Sequence, residues 1–316
     1  MPKTTKAQLP LLDDYLLNLK VNNYSEETTY NYERDLAVFN DFLNDAKIKF
    51  SKLNKRDILN YKAFLMSIDR KTPTQHKGVS RLGAYSINRM LSALRSYIKY
   101  LIDMDHPTSL PPDAIKMTKT VKKKSQVAEL SELTSLLEAP EKLEKNKKIA
   151  ARNRAILELL FATGMRISEL VNLRLDRIDK AGKIFILGKG KKERFVYLTP
   201  RAFKCLNEYL KLRNSQSPFV FVPIRGLNAS EKDKKISTNY IQERIKRYRE
   251  YLGINVPTSA HSLRHGFATY LAESGANPAA IQILLGHESL DTTTRYVHAS
   301  DKYAQSEQQK FHPLKN

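Results

Sequence analysis

Residues 261–296 read HSLRHGFATYLAESGANPAAIQILLGHESLDTTTRY. Leu263, Phe267 and Leu271 recur at four-residue spacing, which predicts a helix buried along one face. His261 and Arg264 are three apart, so they project from adjacent turns of that helix. Asn277 is placed to cap a second helix, with Pro278 at its first position and Gly286 at its end. His287 then stands just past a short rigid helix, and Asp291 caps a threonine-rich turn leading to Tyr296. Histidines, an arginine and a tyrosine gathered at helix faces and ends add little to stability. They suit the handling of a phosphate group.

Upstream of this stretch the chain reads as two domains, the usual division for 316 residues. Residues 8–103 carry helical periodicity almost throughout. Ser25 with Glu26 and Glu27 looks like a cap followed by first-turn acids, and Tyr30, Leu36, Phe39 and Leu43 continue the inward face. Asn54 precedes a third helix with Ile58, Tyr61, Phe64 and Leu65 as its stripe. The loop at 70–83, RKTPTQHKGVSRLG, exceeds a simple turn and is a candidate contact to a partner. From Ser86, the positions Ile87, Met90, Leu91, Leu94, Tyr97, Ile98 and Leu101 form the strongest apolar face. The expectation is a four-helix domain over 1–105, then a proline-containing basic linker over 106–128, then a larger domain over 129–316.

In the larger domain a helix starts at Leu130 and ends near Pro140. A long helix closes at Gly164, acting as a left-handed stop. The run MRISELVNL makes a short helix, and KIFILGKGKKERFVYL makes a β-hairpin across Gly188-Lys189-Gly190. Helices near 200–213 and 237–252 flank a short strand at 219–222, and residues 301–311 form a last helix reaching beyond the core. The fold class is therefore mainly α with a small β-hairpin or sheet.

Lys and Arg total 54 against 33 Asp and Glu, a net charge of +21. Such an excess repels itself and suits a polyanionic partner. No apolar run of about 18 residues spans a membrane, and no basic amphipathic helix favours a membrane surface. The first fifteen residues show no secretory pattern, and the single cysteine, Cys205, sits in a helical pattern as a packed small hydrophobe. A reducing cytoplasm is the expected compartment. His261 and His265 have metalloprotease-like spacing, but Ser262 stands where such a helix needs glutamate and Arg264 would repel a cation. The glycine turn at 188–190 lacks the spacing of a nucleotide-binding loop.

Arg166 in ATGMRISEL, Lys189 in GKGKKER, His261 and Arg264 in HSLRH, His287 in LLGH and Tyr296 in TTTRY together resemble the catalytic set of the tyrosine recombinases, the phage integrase family. The resemblance spans essentially the whole chain. SINRMLSALRSYIKYL resembles the last helix of that family's core-binding domain, and His312-Pro313 the end of its Xer branch. It implies a SAM-like four-helix core-binding domain and an α+β catalytic domain forming a C-shaped clamp on DNA. It also implies site-specific strand exchange with Tyr296 as nucleophile, through a 3′-phosphotyrosyl bond and a Holliday junction. Arg166 and Arg264 present planar forks to the phosphate, Lys189 is the candidate general acid, His261 assists proton transfer and His287 hydrogen-bonds the phosphate. Glu169, three residues after Arg166, is the candidate partner that orients it. Candidate DNA contacts are Lys116, Lys119, Lys122, Lys123 and Lys124 on the linker, Arg89 and Arg95 on the fourth helix, and Lys191 and Lys192 beside the turn.

Bond energy is conserved in a phosphotyrosyl intermediate, so no metal or nucleotide cofactor is implied. The implied partners are duplex DNA with inverted half-sites, other recombinase subunits in a homo- or heterotetramer whose tails dock on neighbours, a possible second recombinase and a DNA translocase. The start of the chain at the core-binding helices favours an Xer-like role in chromosome dimer resolution over a lambda-type integrase. A mobile-element recombinase, a type IB topoisomerase and a non-catalytic architectural protein are the competing readings; only the last leaves Tyr296 unexplained.

Overall fold

The computed structural model describes residues 9–67, 82–120, 126–187, 193–225, 234–286 and 301–314, excepting the side chains of 301–304. The chain divides into two compact units, Met1–Lys123 and Lys124–Asn316.

The first unit contains α1 (Leu12–Val21), α2 (Glu26–Asp45), α3 (Lys55–Met66) and α4 (Ala84–Asp103). Ser25 Oγ accepts from the Thr28 amide and starts α2, while Asn54 and Asp57 form a reciprocal capping box on α3. All seven predicted α4 positions are buried, and they meet Leu36, Phe39, Leu43, Tyr61 and Leu65 in one aromatic-rich core. Tyr30 departs from the expected inward face. It is exposed, with the Arg34 guanidinium 5.5 Å from its ring centroid, and Thr29 takes the buried place. α4 also begins two residues before Ser86, because Gly83 supplies the carbonyl for the Ile87 amide. After α4 the chain stays on this unit: Leu110 and Ile115 enter its core, and Asn88 and Thr118 exchange two hydrogen bonds of 2.9 and 2.7 Å.

The second unit is organised on α6 (Lys147–Thr163), buried from Arg152 to its end. It packs against α5 (Leu130–Leu143), α8 (Pro200–Leu212) and α10 (Ala260–Glu273). α5 runs three residues past Pro140 rather than stopping there. The ring removes one intrahelical donor, yet Leu136, Leu137, Ala139 and Pro140 are all held in the core. α7 (Ile167–Val171) follows, then the antiparallel hairpin β1 (Lys183–Leu187) and β2 (Glu193–Tyr197), paired from Lys183↔Tyr197 to Leu187↔Glu193. α9 (Thr238–Tyr251), α11 (Pro278–Leu285) and α12 (Asp301–Phe311) complete the unit.

The predicted strand at 219–222 is not one. Phe219 makes an isolated bridge to Arg174, and Arg213 spends its guanidinium on the carbonyls of Ser215, Ser217, Phe219 and Val220. A side chain thus satisfies acceptors that a neighbouring strand would otherwise take. α12 forms where expected but packs on its own unit rather than reaching beyond it. Gln308 Nε2 donates to the carbonyls of Ala162 and Tyr197 at 3.0 and 2.9 Å, and His312 is buried beside Phe161 and Phe267. Burial raises the thiol pKa of Cys205, in keeping with a packing role. Among the described residues, no helix is long and apolar enough to cross a membrane.

Candidate active site

Arg264 is the anchor of the site. α6 ends at Gly164 with φ 61°, and a Cβ there would lie 2.5 Å from Phe267 Cδ1, so the stop requires glycine. This turn presents the Gly164 carbonyl to Arg264 Nη1 at 2.7 Å, while Nη2 donates to the Leu285 carbonyl at the end of α11, also at 2.7 Å. Two helix C-termini, each with partial negative charge, hold one buried guanidinium. Burial, then Arg166 and Arg194, push its pKa down to about 10, against the pull of Glu169.

Arg166 sits at the N-cap of α7. Its amide donates to Glu169 Oε2 at 2.7 Å and its Nη1 to Oε1 at 3.1 Å. Its side chain is 38% exposed, whereas that of Glu169 is 7% exposed. Glu169 receives a second, two-pronged contact from Arg194 on β2, at 2.9 and 2.7 Å. Burial would raise the Glu169 carboxyl, but the Arg194 fork and then Arg166 hold it below the usual carboxylate range.

Arg166 and Arg194 thus share Glu169, and Arg264 stands within electrostatic reach of all three, so three guanidiniums face one carboxylate among the described side chains. Arg194 and Arg264 are buried, where water screens charge poorly, so the place favours a bound anion beside the exposed Arg166. His261 is exposed in the first turn of α10, its ring 5.6 Å from that of His265. Burial, His265, Arg264 and Arg166 lower its pKa, which favours a neutral imidazole able to accept a proton near neutral pH.

The structure thus brings Arg166, Glu169, His261 and Arg264 to one place. Lys189, Lys191 and Lys192, His287 and Tyr296 lie outside the described residues, as do Lys122, Lys123, Lys124 and the loop through 81. Their flanks are described: the hairpin arms end at Leu187 and Glu193, and α11 stops at Gly286 with φ 63°. In the first unit Lys116 and Lys119 are exposed, Arg89 pairs with the buried Asp35 at 2.6 Å, and Arg95 pairs with Asp113 at 2.8 Å. Burial raises the Asp35 pKa to about 6 despite Arg89.

Arg194 is the member of the cluster that sequence reasoning missed. A signal was present. Strand side chains alternate, so an inward Val196 places Arg194 inward too, and a buried arginine demands an acceptor set.

Residues 126–303 match the family model described as "Phage integrase family", and residues 12–104 match "Phage integrase, N-terminal SAM-like domain". The chain is 32% identical over 311 residues to a protein named tyrosine recombinase XerD from Lacticaseibacillus casei, covering 96% of this chain and 98% of that one. It is likewise 32% identical over 307 residues to one named tyrosine recombinase XerC from Staphylococcus aureus (strain USA300 / TCH1516), covering 95% and 96%. Among solved structures, a lambda integrase tetramer bound to a Holliday junction shares the fold with a TM-score of 0.66 at 18% identity, covering 92% of this chain and 79% of that one.

Proposed function

This chain belongs to the phage integrase family and is an Xer-like site-specific tyrosine recombinase, and we propose that it cuts and rejoins duplex DNA with Tyr296 as nucleophile. The observation that carries the assignment of roles is the grouping of Arg166, Arg194 and Arg264 near the single carboxylate of Glu169. Arg166 and Arg264 donate to the non-bridging oxygens of the scissile phosphate and stabilise the charge of the transition state. The Tyr296 oxygen attacks phosphorus in line, forming a 3′-phosphotyrosyl bond as the bond to the 5′-oxygen breaks. Lys189 delivers the proton to that leaving oxygen. His261 takes the proton from the Tyr296 hydroxyl, and His287 hydrogen-bonds the phosphate. Attack by a 5′-hydroxyl of the partner strand reverses the step, so the bond energy is kept and neither metal nor nucleotide is consumed.

Tyr270 is a poor rival for the nucleophile. Its hydroxyl donates to the Ala128 carbonyl at 2.9 Å, and burial raises its pKa.

In this reading residues 1–105 are the core-binding domain, 106–128 a basic connection along the phosphate backbone and 129–316 the catalytic domain. Lys116, Lys119, Lys122, Lys123, Lys124, Arg89, Arg95, Lys191 and Lys192 contact DNA, Arg89 and Arg95 by exchanging their carboxylate partners for phosphate. The partners are inverted half-sites, further subunits in a homo- or heterotetramer, a second recombinase and a DNA translocase. The setting is chromosome dimer resolution in the cytoplasm, at the nucleoid.

A substrate nicked beside the scissile phosphate tests this. Wild type traps a covalent adduct, Tyr296→Phe binds the DNA but traps none, and EDTA leaves the yield intact. An adduct retained by Tyr296→Phe moves the nucleophile elsewhere.

A further inference from the structure

Arg194 has no role in the chemistry just described, yet it is buried at the junction of three elements that carry that chemistry. Each of its three nitrogens has a partner: Nη1 and Nη2 grip the two Glu169 oxygens, and Nε donates to the Leu284 carbonyl at 2.9 Å. Each Glu169 oxygen is shared. Oε1 also accepts from Arg166 Nη1, and Oε2 from the Arg166 amide. At the end of α11, consecutive carbonyls take one arginine each, Leu284 holding Arg194 and Leu285 holding Arg264. The next residue, Gly286, lies flat against the same side chain; a Cβ on it would stand 3.0 Å from Arg194 Cδ and 3.2 Å from Nη1. Gly286 directly precedes His287, and β2 begins one residue before Arg194, where the chain leaves the lysine turn.

We propose that Arg194 is a positioning residue for DNA cleavage: its rigid fork fixes α7, β2 and the end of α11 together and so sets the spacing of the two phosphate-binding guanidiniums. The inference rests on the reading of Arg166 and Arg264 as phosphate donors. A lysine offers charge without the planar fork, so it cannot hold Glu169 and Leu284 at once. Small displacements matter here because transition-state donors lose most of their effect when misplaced by an ångström.

The test is single-turnover cleavage of the nicked substrate at saturating DNA, with DNA affinity measured in parallel. Arg194→Met cleaves about 10- to 100-fold more slowly, the range for residues that orient a reacting group, while its affinity for DNA stays at the wild-type value. Arg194→Lys fails to restore the rate. The control for folding is the pair Glu169→Gln with Arg194→Met, which removes the two buried charges together, the more exposed Arg166 losing its carboxylate as well. The pair is expected to melt as a folded protein and to remain as slow as Arg194→Met alone. A wild-type rate in the pair, or in Arg194→Met itself, would overturn the proposal and leave Arg194 a fold-stabilising residue only. Failure of the underlying reading looks different: wild type then traps no adduct, or Tyr296→Phe still does.

Discussion

The second unit contains two clusters of buried arginine and glutamate, built to different balances. In one, Arg154 and Arg201 share Glu158, each at 2.8 Å, with Glu138 and Glu141 at the edge. Charge there is at least matched by carboxylates. Burial raises the Glu158 pKa, against the opposing pull of Arg154 and Arg201. In the other, Arg166 and Arg194 share Glu169 alone, with Arg264 within electrostatic reach, and the Glu169 pKa is lowered. Both clusters tie helices together, but only the second keeps an excess that a phosphate can neutralise. Buried arginine by itself therefore says little about function; the sum of charges around it says much.

The comparison breaks most visibly if the surplus is cut. Arg264→Ala should lower single-turnover cleavage by the folded protein about a thousandfold, the cost of losing a strong transition-state donor. Cleavage within tenfold of wild type would mean that the surplus is not catalytic. The balanced cluster should respond the opposite way. Glu158→Ala leaves Arg154 buried without its nearest carboxylate and should cost about 3 kcal/mol in chemical denaturation, while the folded fraction cleaves at the wild-type rate.

Two pH experiments sharpen the contrast. His312 is a buried base whose ring meets the Phe161 carbonyl at 3.4 Å, and burial pushes its pKa down to about 4. A base with a lowered pKa stabilises the fold above its ordinary value of 6.5, and that contribution is lost as pH falls toward 4. Hydrogen exchange over residues 305–314 should accelerate across this window, and His312→Gln should remove the dependence. Glu169 gives the smallest effect. Its lowered pKa means that its stabilisation is present above the ordinary 4.5 and is lost as pH falls through the folded value. The stability gap between wild type and Glu169→Gln, measured in urea, should be widest near neutrality and close below pH 4.5. A gap that is flat with pH would show that the Arg194 fork does not hold the charged carboxylate.

Much of the fold was legible because its signals are local. Ser25, Asn54 and Asn277 start helices as read, Gly164 and Gly286 end them, and the α4 stripe is buried at every predicted position. Each of these depends on residues within one or two turns. The errors arose where a side-chain contact outside the apolar pattern decided the outcome. Pro140 stays helical because the core holds its face, Tyr30 turns outward to Arg34, and Arg213 takes the Phe219 and Val220 carbonyls of the 219–222 segment.

The site divides along the same line. The order and context of Arg166, Lys189, His261, Arg264, His287 and Tyr296 carried the resemblance to the family from the chain alone. The sequence also paired Arg166 with Glu169, three residues away. It did not reveal that Arg194, 25 residues from Glu169, completes that pair, or that Arg264 reaches back 100 residues to the Gly164 carbonyl. Caps and periodicity fix which elements form, because their energies are settled within a few residues. Which charges share a buried pocket, and whether they balance, is settled only when the chain closes on itself, because only then is water removed from between them.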